Sequence, residues 1–236
     1  MAAEEALGLL RTGSLSVEGR LVDASNTTLY CTLSRGDLTT ACVYKPVRGE
    51  RPLWDFPDGT LAEREAAAYL VSAATGWNVV PPTVLRDGPF GEGMVQLWID
   101  GDATVDLTSL VRADLLPLRR MAVFDAVINN ADRKGGHLIP MPGGHVYGVD
   151  HGVSFHQQDK LRTVLWSWAG QPLPDETVDA LSELRASLEG PLEAALSELL
   201  TRREVVAVRR RVDRLLTYRC YPEPSGDWPA VPWPPF

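Results

Sequence analysis

Near the start of the chain, apolar and polar positions alternate in three short runs, residues 16–21, 28–33 and 39–44, separated by polar turns at 23–26 and 35–37. A period of two predicts strands, and turns this short predict antiparallel neighbours. A short helix over residues 2–10, broken at Gly13, precedes them. The period then changes. Residues 61–74 (LAEREAAAYLVSAA) are rich in alanine and leucine and predict a helix, with Thr60 as its cap, Glu63 at the third helical position, and Leu61, Ala68, Leu70 and Val71 facing the sheet. Strands over 79–85 and 93–99, joined by a turn at 86–91, complete a five-stranded sheet, and the Asp100-Gly101-Asp102 break suits a hinge.

Past that hinge the apolar spacing becomes helical over 107–111 and 115–128, with Asp114 as a cap, and again over 174–188, 191–200 and 202–218. The pattern as a whole predicts an α+β chain of one domain, residues 1–236: an antiparallel-sheet lobe over 1–99, a mainly helical lobe over 100–220, and a Pro- and Trp-rich tail over 221–236. The tail either packs back through Trp228 and Trp233 or waits for a partner.

The chemistry concentrates in residues 125–155, DAVINNADRKGGHLIPMPGGHVYGVDHGVSF. A buried helix stops at Asn129 and Asn130, which suit a turn better than a helix interior. Asp132 and Arg133 follow in a loop, residues 137–140 form a strand, 142–144 turn it, and 145–149 return antiparallel. Such a hairpin brings Asp132, His137 and Asp150 to one end. Two carboxylates and a third ligand at a loop end match what phosphoryl transfer requires, one group to orient the attacking hydroxyl and another to hold the metal that screens the phosphates.

Bulk properties narrow the field. A formal net charge of −8 argues against a general nucleic-acid binder and weakens steady attachment to an anionic membrane. No apolar run reaches the ~18 residues of a membrane span, and the start carries glutamates without a basic stretch, so the expectation is a soluble, cytoplasmic protein with no stable membrane insertion. Cys31, Cys42 and Cys220 lack metal-ligand spacing and read as reduced thiols. Lys45, Lys134 and Lys160 are the only lysines among 23 basic residues, which singles each of them out. Lys45 closes the apolar strand Cys42-Val43-Tyr44, either snorkelling to the surface or offering a cation to phosphates.

Asp125 to Asn130 followed by Ala-Asp-Arg, a Gly-containing gap, a ligand-type residue before an apolar pair, and Val-Asp-His-Gly resembles the catalytic and metal loops of the phosphatidylinositol 3-/4-kinase superfamily. The NTDR and IDNG signatures of the type II phosphatidylinositol 4-kinases look closest, VYKP at Lys45 resembles their VFKP, and the HipA-like kinases share the layout more distantly. The resemblance implies a two-lobed protein-kinase-like fold that binds ATP with Mg2+ or Mn2+. It implies that Lys45 neutralises the alpha and beta phosphates, that Glu65 orients Lys45, and that Ser25, Asn26 and Thr27 lie over the phosphates. Gln96, Leu97, Trp98 and Ile99 would border the adenine. Asp132 would orient the acceptor hydroxyl, with Arg133 locking its loop or facing a phosphate, and Asp150 would hold the metal.

His137 departs from the pattern, because the family has a metal-binding Asn there. Imidazole suits manganese better than magnesium, so the change implies a shifted metal preference, a single metal on Asp150, or a pseudokinase that binds nucleotide without turnover. All four histidines, His137, His145, His151 and His156, crowd this stretch, which keeps open a His/Asp metal-dependent hydrolase, although no metal-site spacing appears. The acceptor, whether lipid, small alcohol or protein Ser/Thr, is not encoded in these motifs.

Overall fold

The computed structural model describes residues 3–22 and 26–236. Helix α1 (Ala3–Thr12) leads into β1 (Ser14–Arg20), β2 (Leu29–Arg35) and β3 (Leu38–Pro46); α2 (Leu61–Ala74) follows, then β4 (Thr83–Gly88) and β5 (Gly91–Leu97). The five strands form one antiparallel sheet in the order β1-β2-β3-β5-β4. Strand β4 begins at Thr83, not residue 79 as expected, because Pro81 and Pro82 have no N–H to give a ladder. Strand β5 ends at Leu97, two residues early. On β5, Gly93 lies opposite Pro46, and a Cβ there would overlap the Lys45 carbonyl, so glycine lets the two strands close beside the lysine. Leu9 and Leu10 of α1 pack under the sheet with Leu33, Cys42, Tyr44 and Val95 in a small core.

Helix α2 spans the predicted residues, but its cap is different. Thr60 makes no capping bond; Glu50, from the loop after β3, receives the N–H groups of Leu61 at 3.1 Å and Ala62 at 2.8 Å. The apolar face of α2 also looks further than the sheet, since Ala67, Ala68 and Val71 belong to the core of the helical lobe. Arg64, almost fully buried, reaches Glu204 at 2.6 Å and the Ser154 carbonyl at 2.8 Å, and it stacks over Phe56. The helix therefore ties the two lobes together.

The second lobe contains α3 (Leu107–Leu110), α4 (Leu116–Ile128), the hairpin β6 (Leu138–Pro140) and β7 (Val146–Gly148), α5 (Asp175–Ser187), α6 (Pro191–Ser197) and α7 (Arg202–Tyr218). Asp106 caps α3 through Thr108 and Ser109, whereas Asp114 does not cap α4 and instead pairs with Arg119 and receives the Trp168 indole N–H. Trp168 thus belongs to the core of the helical lobe. Arg211 of α7 is buried against the Val127 and His156 carbonyls, bracing α7 to α4, and burial pushes its pKa down to about 10. The tail packs back: Ala230 accepts the Thr163 N–H, Pro235 accepts the Gly135 N–H, and Trp228 covers Lys160, while Trp233 remains exposed.

Candidate active site

Helix α4 ends on Asn129 in a left-handed conformation (φ 54°), which turns the chain into the loop 130–134. Buried Asn130 fixes that loop at both ends, giving its amide N–H to Asp125 at 3.0 Å and receiving the Asp132 N–H on its side-chain oxygen at 3.0 Å. Arg133 is fully buried. Its guanidinium is shared among Asp125, at 2.9–3.2 Å, the Val149 carbonyl at 3.1 Å and His151 Nε2 at 2.7 Å. Of the two roles open to Arg133, the contacts are those of the lock and not of a catalytic group facing phosphate: no donor faces the cleft, and the guanidinium holds the loop against the segment that carries Asp150. Asp132 is left part-exposed, 3.3 Å from Lys134, and burial raises its pKa above the ordinary carboxylate value.

Lys45, at the end of β3, points across to α2 and the second lobe. Its Nζ is 2.7 Å from Glu65 Oε1 and 2.8 Å from Asp150 Oδ1. Burial works against its charge, but Asp150 and Glu65 outweigh that and raise its pKa. Lys45 in turn is the main cause of the depressed pKa of Asp150. Asp150 sits at φ 61°, a conformation that Asp tolerates better than most residues and one that aims its carboxylate back toward Lys45. His137 Nε2 lies 3.5 Å from the other Asp150 oxygen, and burial drops its pKa to about 4, so the ring is neutral. Its Nδ1 accepts the Lys134 N–H at 3.4 Å, a weak bond that leaves the ring proton on Nε2 facing Asp150.

Contacts of His151 and Glu50 complete the junction. Glu65 Oε2 accepts the His151 backbone N–H at 2.9 Å. His151 Nε2 can only accept from Arg133, which has no acceptor atom, so its proton sits on Nδ1, which has no hydrogen-bond partner among the described residues. Glu50, the cap of α2, also lines the cleft beside Lys45, Asp150 and Gly152. Neither was legible locally, because both contacts close over long stretches of chain.

On the nucleotide side, Ser25 lies outside the described residues. Asn26 and Thr27 line the same cleft as Lys45 and are tied to the loop after β3 by Arg51 N–H to Asn26 at 2.8 Å and Thr27 N–H to Gly49 at 3.0 Å. The 96–99 segment departs from expectation in part. Gln96 is buried with its amide nitrogen on Thr83, and the Leu97 and Trp98 N–H groups already bond the Pro82 and Ala41 carbonyls. The Leu97 and Trp98 backbone N–H groups are therefore already engaged by neighbouring carbonyls and are not free to meet the base. Trp98 packs edge-on against Tyr30 at 5.0 Å with its indole N–H on Asp100.

The four histidines do not converge. His145 rests on Asn78 and Tyr147, His156 on Phe56, and His151 on Arg133. Only His137 faces Asp150, and no group of three or more metal-type side chains exists among the described residues. The hydrolase alternative loses its metal cluster. A larger cavity of about 570 Å³ lies between α7 and the tail, lined by the Asp159–Arg214 pair and Tyr218; it lacks the converging charges of the cleft.

No protein-family model matches the chain. Among curated proteins, Protein Rv2133c of Mycobacterium tuberculosis (strain ATCC 25618 / H37Rv) is 48% identical over 263 aligned residues, covering 97% of this chain and 94% of that protein. Among solved structures, the Golgi casein kinase superposes with a TM-score of 0.63 at 16% identity, over 92% of this chain and 75% of that one. A second structure of it, with Mn/ADP bound, gives 0.60 at 14% identity over 92% and 75%. The Helicobacter pylori proinflammatory kinase CtkA gives 0.53 at 12% identity, over 90% and 94%. At these identities the likeness is one of fold, and the fold is protein-kinase-like.

Proposed function

The chain belongs to the family of Protein Rv2133c, and from that premise we propose that it is an ATP-dependent phosphotransferase, of the phosphatidylinositol 3-/4-kinase-like kind, that passes the gamma phosphate to an alcohol. The observation that carries this reading is Lys45, whose ammonium joins Glu65 of α2 and Asp150 after β7 at one point. An isolated surface lysine has no use for two carboxylates on different elements. A phosphate-binding lysine does, since they aim it and hold it charged until phosphate arrives.

In this reading Lys45 meets the alpha and beta phosphates, with Asn26 and Thr27 over them. The edge at 97–99 borders the base through Ile99. Asp132 accepts the proton of the acceptor hydroxyl, Lys134 faces the transferred phosphate, and Arg133 fixes the loop. Asp150 and His137 face each other at 3.5 Å, an oxygen and a nitrogen donor that could hold Mg2+ or Mn2+ carried in by ATP. Such an ion, held by these two residues, would neutralise phosphate charge. His137 must then carry its proton on Nδ1, giving up the weak bond from Lys134.

The acceptor is a lipid, a small alcohol or a protein. No helix among the described residues is long and apolar enough to cross a membrane, and the negative charge disfavours nucleic acid. Three free cysteines support a cytoplasmic setting. A nucleotide-binding pseudokinase is the second reading, favoured by one feature, the imidazole of His137 at the metal position.

ATP binding by calorimetry and transfer from gamma-labelled ATP, with Mg2+ and then Mn2+, test both readings on wild type, Asp132→Ala and Asp150→Ala. Binding lost in Asp150→Ala and turnover lost in Asp132→Ala are expected. Binding without turnover under either metal would establish the pseudokinase, and no binding at all would overturn both.

A further inference from the structure

We propose that the groove between the catalytic loop and residues 160–166 is a binding site for an extended polypeptide, filled in this chain by its own residues 227–236. The corollary that the phosphate acceptor is a protein segment rests on the phosphotransferase reading.

The groove begins at Arg133, the residue after Asp132 in the chain. Arg133 and Thr163 form a parallel bridge, with Arg133 N–H on the Arg162 carbonyl at 3.0 Å and Val164 N–H on the Arg133 carbonyl at 3.1 Å. That pairing turns the Thr163 N–H outward, where Ala230 accepts it at 3.0 Å, and the same carbonyl accepts the Trp166 indole N–H at 2.8 Å. Further along, the Gly135 N–H, three positions past Asp132, goes to the Pro235 carbonyl at 2.8 Å. The Phe236 ring lies directly on Gly135, where a side chain would collide with it. Trp228 covers the Lys160 ammonium at 4.8 Å.

Two of these contacts, Thr163 N–H to Ala230 and Gly135 N–H to Pro235, join main chain to main chain, the mode by which an extended peptide is recognised, while the Trp228 and Phe236 rings add side-chain anchors. The guest is shallow. Trp233 is 86% exposed and Phe236 50%, so residues 227–236 lie in the groove as a ligand more than as core. They hold four prolines, which restrict the chain's conformations and lower the entropy lost on docking. They contain no Ser, Thr or Tyr, so a segment lying on Gly135, three positions past Asp132, has no hydroxyl to phosphorylate. Such a guest occupies an acceptor groove without being consumed.

The test uses the full chain, the double variant Trp228→Ala/Phe236→Ala, and separately Gly135→Ala, whose methyl would take the place of the Phe236 ring. Hydrogen exchange at Gly135 (or its replacement) and Thr163 reads release of the tail. Fluorescein-labelled, reduced and carboxymethylated lactalbumin, an unfolded chain, reads the groove by anisotropy, and an ATP titration reads the nucleotide site. Expected are faster exchange, lactalbumin binding tightened about tenfold as the occupied fraction falls, competition by a synthetic 222–236 peptide, and unchanged ATP affinity in Trp228→Ala/Phe236→Ala. Faster exchange without tighter binding would overturn the proposal, as would unchanged exchange in both variants, or tightening toward phosphatidylinositol vesicles but not toward lactalbumin. Wild type that binds no ATP would defeat the phosphotransferase reading and leave the groove result standing.

Discussion

Glu65 sets one carboxylate oxygen on the Lys45 ammonium at 2.7 Å and the other on the His151 backbone N–H at 2.9 Å. A single side chain on α2 therefore orients both the strand lysine and the loop that carries Asp150. Since α2 is also anchored to the second lobe through Arg64, the position of Glu65 is set from both sides of the cleft.

Lys45→Met should weaken ATP binding by about 2 kcal/mol, roughly 30-fold in Kd, the scale of a charge-assisted hydrogen bond. Glu65→Gln should weaken it less, because the amide can still accept from Lys45. Calorimetric titration of both variants checks the order, and equal losses would mean that Glu65 does more than aim the lysine.

Asp132→Asn should keep ATP affinity and lower phosphate transfer by roughly 100-fold or more, the usual size of a lost proton acceptor. Asp150→Asn should lower affinity in the presence of metal and change it little in its absence. The split between binding and turnover is the readout.

His137→Asn replaces a nitrogen donor with an oxygen donor and should move the preference from Mn2+ toward Mg2+. Half-saturating metal concentrations for ATP binding, measured for both ions, would show the ratio falling. A ratio unchanged from wild type would place His137 outside the metal's reach.

Arg64→Met should destabilise the fold by about 3 kcal/mol in urea, since it strands Glu204 in a buried site, and Arg64→Met/Glu204→Leu should recover much of the loss. Burial opposes the charge of Glu204, but Arg64 and Thr201 outweigh it and hold the pKa below the ordinary value. A depressed carboxylate contributes its stability above the unfolded pKa of about 4.5 and loses it as pH falls through the folded value. The gap between wild type and Arg64→Met should therefore narrow in acid, which urea midpoints measured from pH 7 down to pH 3 would show.

Much of the molecule is legible in its local pattern. Period and turn residues determine the antiparallel sheet, the span of α2 and the helices of the second lobe, because each depends on side chains only a few positions apart. The central stretch likewise announces its loop and hairpin through Asn129, the Pro142 turn and the apolar runs beside them. The residue types of the candidate site and their order in the chain are a property of sequence alone.

What tertiary structure decided are the partners. Glu50 replaced Thr60 as the cap of α2, since a carboxylate folded over from the preceding loop reaches two N–H groups at once. Arg133 became a buried brace because Asp125, eight residues back on α4, and His151, beyond the hairpin, both point at it. Gln96 went into the sheet and away from the cleft because Thr83 stands opposite it. The tail found the catalytic loop, although its own composition left a free arm equally open. In each case the energy resides in a hydrogen bond or ion pair between residues far apart in the chain, and no local period carries that information.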